Sequence, residues 1–345
     1  MIQMKDSPKI YIKLGVLFLI LFIAIVGDLM VGSTYISFDK IVGALIHGQD
    51  DSVNSFIIWE LRLTKTIAAI LVGIGLPVSG LLLQSLFRNP LAGPFVLGIS
   101  SGASLGVAIY VMAGGASVFV SSWMLAGGLS LFSILGSLVV LMAVLAVSLR
   151  VNDTLSLLVV GLMFGSITAA LVSVMQYFSS ADLLQRFIVW TFGSLGGFSW
   201  LEVAILSVLV IFSLILSVFI VKPMNAMLIN EDYARSLGVS VKNIRIFVIL
   251  ISSVLAGSIT AFAGPIVFIG VAIPHLARNF FNTSDHKILL LAVVLMGAIL
   301  MLICDIISQM PGYATVLPIN SVTAIFGAPV VIWIILQNKR INARY

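Results

Sequence analysis

The sequence predicts an all-α polytopic membrane protein: one bundle of about ten transmembrane helices over residues 1–345, with no soluble domain. Three observations predict it. The 345 residues are 61% hydrophobic and only 9% charged, with a mean hydropathy of +1.22, and a soluble domain of that length needs far more surface charge. Charge is absent from Asn89 to Leu149, Thr154 to Ala181, Ile246 to Ala277 and Ile306 to Asn338, and each gap holds one or two crossings at about 20 apolar residues per span. With ten crossings and both termini cytoplasmic, only Lys40, Arg62, Lys65 and Arg186 of the 18 Lys and Arg residues fall outside. Basic residues gather in this way on the cytoplasmic side of a membrane. The pI near 9.4 therefore reflects topology and not a nucleic-acid surface.

The spans are placed at about 10–31, 56–86, 95–113, 120–149, 154–178, 200–221, 243–262, 266–281, 287–308 and 319–337. The first apolar run lacks a small-residue cleavage site and is taken as a retained span. The stretch 32–55 forms a small outer cap. The second span exceeds a bilayer, so its start, Trp59 to Lys65, is expected to project outward. Residues 179–200, with Gly193, Gly196 and Gly197, are expected to hold a short helix folded back toward the membrane. Between 246 and 281, one kinked helix and two helices both fit the hydropathy, broken only at Gly264-Pro265; the charge distribution favours two. Trp59, Trp123, Trp190 and Trp200 fall at outer ends, as interfacial aromatics do. Cys304 stands alone within a span and makes no disulfide framework.

Several polar or small-residue groups interrupt the apolar runs. Between Gln84 and Gly106 a turn-prone knot (Arg88, Asn89, Pro90, Gly93, Pro94) precedes Gly98, Ser100, Ser101, Gly102 and Ala103. Irregular backbone at membrane depth requires protein or water to satisfy its polar groups. Gly161 and Gly165 form a GxxxG pair, a close-packing signal, for helix packing within the subunit or for a pore or subunit-contact face. Within 229–240, Asn230 is an N-cap, Glu231 and Asp232 suit the first turn, and Gly238 suits the end. A helix of about eight residues follows, with Ala234 and Leu237 on one face, displayed on the positive side as a docking element. Arg62 and Lys65 sit at the outer mouth of the second span. Charge at that depth is costly, so they project to water or pair, Glu60 being close in sequence. Pro274, His275 and Arg278 end a short helix at the inner side.

Absences narrow the function. No GxxxxGK[ST] loop is present, hence no ATP site in this chain. There is no HExxH or paired intramembrane Asp, against an intramembrane protease. Three histidines without HxxxH or ExxH spacing make no metal site. Spans taken as free of buried carboxylates disfavour a proton- or sodium-coupled secondary carrier, and the energy must come from a partner.

Four segments in order carry a family resemblance: QSLFRNPLAGPFVLGISSGASLG (from Gln84), MLINEDYARSLGVS (from Met227), GPIVFIGVAIPHLAR (from Gly264) with Asp285-His286-Lys287, and LPINSVTAIFGAPVVIW (from Leu317). Together they resemble the FecCD-type permease subunits of ATP-binding-cassette (ABC) importers for ferric siderophores, haem and vitamin B12. The resemblance implies a type II ABC-importer architecture in the bacterial inner membrane. It implies two permease subunits (identical or related), two ATPase subunits that bind ATP and Mg, and an extracytoplasmic substrate-binding protein, with no cofactor in this chain. It implies that Asn230, Glu231, Asp232, Ala234, Leu237 and Gly238 seat in the ATPase, and that Arg62 and Lys65 meet acidic residues of the binding protein. Gly161 and Gly165 would lie on the translocation path or dimer axis, and Asn89, Pro90, Gly98, Gly102, Gly264, Pro265, Pro274, His275 and Arg278 would be framework. The chain departs from the family pattern at Thr64, Lys65, Asn230, Gln309 and Asn320. An iron–siderophore complex is the first expected cargo, with cobalamin or haem the alternative.

Overall fold

A computed structural model describes residues 7–32, 34–50, 52–112, 122–148, 150, 154–310 and 315–342. The helices, in chain order, are α1 (Ser7–Met30), α2 (Phe38–His47), α3 (Val53–Leu86), α4 (Ile99–Met112), α5 (Ser122–Ser148) and α6 (Thr154–Tyr177). Then follow α7 (Ala181–Thr191), α8 (Trp200–Ile229), α9 (Glu231–Ser236), α10 (Val241–Ala263), α11 (Ile269–Phe281), α12 (His286–Ser308) and α13 (Ile319–Asn342). Among the described residues seven of these are long and apolar enough to cross a membrane; α4 and the Ile319–Trp333 part of α13 are shorter apolar helices, and α11 lies where the eighth span is expected. The side chain of Trp123 lies outside the described residues.

The central helix is α3. Its Ala68, Val72, Leu76, Leu83 and neighbours are fully enclosed by α8, α10, α11 and α12. Glycines set how closely these partners approach. A Cβ on Gly73 would stand 2.5 Å from the Gly297 carbonyl of α12, and Gly80 lies against the Gly270 backbone of α11 in the same manner. At 34 residues, α3 measures about 50 Å at 1.5 Å per residue, so it overshoots an apolar core of about 30 Å. Its stretch Ile57–Leu63 is a π-helix, and that local unwinding shifts which side chains face inward.

Helix ends follow from local chemistry. A capping box starts α8: Ser199 Oγ accepts from Glu202 N, and the Glu202 carboxylate accepts from Ser199 N. Asp285 caps α12 by accepting from Lys287 N. The sequence placed the end of the sixth span near 221, yet α8 runs through Lys222 and Pro223 to Ile229. A polar residue and a proline resemble a terminus, but the helix simply continues beyond the apolar layer. Residues 246–281 form two helices. Between them, residues 264–268 run down to Phe268, where φ is 70° and α11 begins.

One expectation is overturned. The spans are not free of buried carboxylates: Asp28 is 0% and Asp305 3% exposed, near the ends of α1 and α12.

Candidate functional site

Polar side chains converge at the two ends of the bundle. At one end, Lys65 Nζ lies 2.8 Å from Asp305 Oδ2 and 3.9 Å from Asp28 Oδ1. Thr66 donates to Asp28 Oδ2 at 2.5 Å and Gln309 to Asp305 Oδ2 at 2.9 Å. Arg62, 5% exposed, donates to the carbonyls of Leu29, at 2.5 Å, and Thr34. The Lys65 ammonium thus sits between two carboxyl groups and Arg62 on two carbonyls, where a lone charge would carry a large desolvation penalty. The sequence left Arg62 and Lys65 to project to water or pair, with Glu60 nearest. Lys65 pairs across three helices and Arg62 turns inward to backbone carbonyls, while Glu60 accepts from Gln49 at 3.5 Å. The π-helical turn carries Arg62 toward α1, and Lys65 follows one turn later. The expectation of no paired intramembrane Asp is also corrected, since Asp28 and Asp305 share Lys65. A signal existed: Asp28 is the sole charge between residues 14 and 38, and Asp305 the sole charge between 288 and 338. In the segment between α2 and α3, Ser52 donates its N–H and hydroxyl to Asp50 at 3.0 and 2.6 Å, and these bonds hold the Asp50 carboxyl below the usual range.

At the opposite end, the polar knot closes α3. Asn89 N donates to Gln84 O at 3.1 Å, and Asn89 Oδ1 accepts from Leu91 N at 2.9 Å ahead of the Pro90 turn. Arg88 reaches the Met227 carbonyl of α8 at 2.9 Å. Gln84 joins α3 to α11 twice, donating to Val271 O at 3.0 Å and accepting from Arg278 at 2.5 Å. His286 bridges further: one ring nitrogen lies 2.7 Å from Ser85 Oγ and the other 2.7 Å from Asn225 Oδ1. His275, beside Pro274 within α11, meets the Trp333 ring edge-on at 6.0 Å. Among the described residues no group of three His, Cys, Asp or Glu could hold a metal.

The short helix α9 hangs from the end of α8. Asn230 caps it, accepting from Asp232 N at 3.2 Å. Arg235 pairs with Asp232 at 3.0 Å and Glu231 at 3.6 Å, and the enclosed Arg245 of α10 approaches Glu231 at 4.0 Å. Ala234 is wholly buried, whereas Leu237 is 58% exposed. The expected shared face is thus split. The helix spans six residues and not about eight, and Leu237 (φ −83°, ψ 4°) has already left helical spacing before Gly238 at φ 82°.

The glycine pair of α6 packs inside the subunit. A Cβ on Gly98, which has φ 72°, would stand 2.8 Å from the Gly161 carbonyl and 2.9 Å from Gly165 N. Gly102 packs in the same manner on Gly136 and Val140 of α5. The open face of α6 includes Val159, Leu162, Met163, Ile167, Leu171 and Val174.

Comparison with known proteins places this geometry. A model of the FecCD transport family matches residues 18–337. The vitamin B12 import system permease protein BtuC of Citrobacter koseri is 34% identical over 283 residues, covering 82% of this chain and 84% of its own. BtuC of Salmonella newport is 34% identical over 287 residues with the same coverage. Among solved structures, an inward-facing conformation of a metal-chelate type ABC transporter superposes with a TM-score of 0.82 and 30% identity, covering 96% of this chain and 99% of that one. PsaBC from Streptococcus pneumoniae, solved with a Fab, has a TM-score of 0.55 at 15% identity, a likeness of fold alone.

Proposed function

This chain belongs to the FecCD transport family and is a multi-pass permease subunit of an ABC importer, and we propose that it conducts a metal–organic chelate inward, past the end of the bundle that carries Lys65. The observation that carries the mechanism is α9. It is fixed to the body through buried Ala234 and the Glu231–Arg245 contact, yet it presents Leu237 and Tyr233 to solvent. An exposed apolar tip on an anchored helix is suited to seat in a partner. The partner is the ATPase, which binds ATP and Mg and drives the cycle; Asn230, Glu231, Asp232, Ala234, Leu237 and Gly238 form the contact. The end with Arg88 and α9 is then cytoplasmic, as are both termini, and the binding protein approaches the Lys65 end. Arg62 and Lys65 are engaged internally in the free subunit, so an acidic partner residue has to compete with Asp305 and the Leu29 carbonyl for them. The open face of α6, built on the Gly161–Gly165 packing, meets the second permease subunit. The permease itself contributes differential stability of its outward and inward states.

Two cargo classes remain in view, ferric siderophores and cobalamin, and the BtuC relatives favour the second. The deciding experiment reconstitutes the complete importer with its binding protein and ATPase in proteoliposomes and offers labelled cobalamin and ferric siderophore in parallel. Saturable ATP-dependent uptake of one of them supports the reading. Uptake of neither, with an assembled and ATP-hydrolysing complex, refutes it.

A further inference from the structure

At the Lys65 end three irregular stretches meet: the loop 192–199 after α7, the break 264–268 between α10 and α11, and the start of α13. The first two join through backbone. Ser194 N donates to Ala263 O at 2.9 Å. Gly193 and Gly264, with φ of 70° and 77°, face each other so closely that a Cβ on Gly264 would stand 2.8 Å from the Trp190 carbonyl. The third stretch joins both others through a single residue. Asn320 N donates to the Phe192 carbonyl at 3.2 Å, and Asn320 Oδ1 accepts from Val267 N at 3.2 Å.

These two bonds differ in what they require. Any residue except proline at 320 offers the backbone N–H to Phe192. Only an acceptor side chain of this length reaches Val267, whose N–H lies in broken backbone at membrane depth, where a polar group needs a partner. Val267 is also the last residue before Phe268, from which α11 starts, and Phe268 in turn packs against Gly327 of α13. The far end of α11 is held too: Arg278 bonds Gln84 of α3, and Lys13 donates to Phe280 O at 2.6 Å. A displacement of α11 from the α9 side therefore arrives at Val267, beside α7.

We propose that Asn320 is a positioning residue that locks α7, α11 and α13 into one moving unit, so that cargo release follows ATP-driven motion without slippage. This rests on the import function proposed above. The side-chain bond is the part that a glycine at this position would lack.

The test compares the wild type with Asn320→Gly and Asn320→Asp in the complete importer. One readout is cargo moved per ATP hydrolysed in proteoliposomes. The other is the width of the spin-label distance distribution between positions 279 on α11 and 325 on α13, both exposed; Cys304 is buried and escapes labelling. Asn320→Gly should lower the cargo-to-ATP ratio about fivefold, the scale set by one neutral hydrogen bond, and should broaden the distance distribution. Asn320→Asp, which keeps the acceptor, should restore both. A wild-type ratio and width in Asn320→Gly would overturn the proposal, as would an equal loss in Asn320→Asp. If the wild type moves no chelate at all, the import reading fails, and the distance distributions still decide whether the Asn320 side chain ties α13 to α11.

Discussion

Lys65 Nζ stands 2.8 Å from Asp305 Oδ2, joining the start of the central helix to the end of α12, with Asp28 of α1 on the far side of the same ammonium. α12 packs along both α1 and α3, and all three helices are thereby fixed in register at one end by charge. Removing the lysine leaves two buried carboxylates facing each other without their counter-ion. Lys65→Met is expected to destabilise the solubilised permease by about 3–5 kcal/mol, the usual cost of breaking a buried pair from one side. Lys65→Met with Asp305→Asn should recover much of that loss. Thermal unfolding of the two single variants and the double variant checks it, and additive losses would show that the pair is not coupled.

How much of this was legible in the sequence varies by element. The long apolar helices were, because long uncharged runs report burial in lipid directly. The helix at Glu231–Ser236 was, because Asn230 and the acids after it act within one turn. The Asp28–Lys65–Asp305 contact was not, since its members come from three helices far apart in sequence and no local spacing encodes it. The inward turn of Arg62 depends on a π-helical segment that no residue type announces. The split between Ala234 and Leu237 arose because the helix ends one residue earlier than the i, i+3 relation needs.

Leu237 and Ala234 should separate docking from folding. Leu237→Ala removes an exposed apolar contact, so ATPase co-purification should fall about tenfold while the permease melts at its normal temperature, an interface loss of ~1.4 kcal/mol or more. Ala234→Leu forces a larger side chain beneath α9 and should lower both, with ~1–3 kcal/mol of overpacking cost in the permease. Pull-down with the ATPase, run beside thermal unfolding, distinguishes the two.

Asn225 carries a bridge between α8 and α12. Its Oδ1 accepts from His286 N at 2.9 Å and lies 2.7 Å from the His286 ring, while its Nδ2 donates to Asp285 at 2.7 Å. Asn225→Ala strands a buried N–H, at a cost of about 1–3 kcal/mol. The loss should appear as a lower unfolding temperature and faster hydrogen exchange at the start of α12.

Close helix approach makes a further contrast. Gly73→Val has no room, because even its Cβ would meet the Gly297 carbonyl at 2.5 Å and the Met301 Cβ at 2.7 Å. Both helices must part, and the folded yield should collapse. Gly15→Ala meets nothing within 4 Å and should stabilise α1 by roughly 0.5–1 kcal/mol through helix propensity. Fluorescence-detected size exclusion reports the first, and thermal unfolding the second.

The most direct test of the whole mechanism is the energy dependence of cargo entry in proteoliposomes holding the complete importer. Uptake should require ATP together with the binding protein, should be insensitive to proton and sodium gradients, and should be lost with Leu237→Ala at unchanged permease stability. Uptake by the permease alone, driven by an ion gradient with no ATPase present, would contradict it.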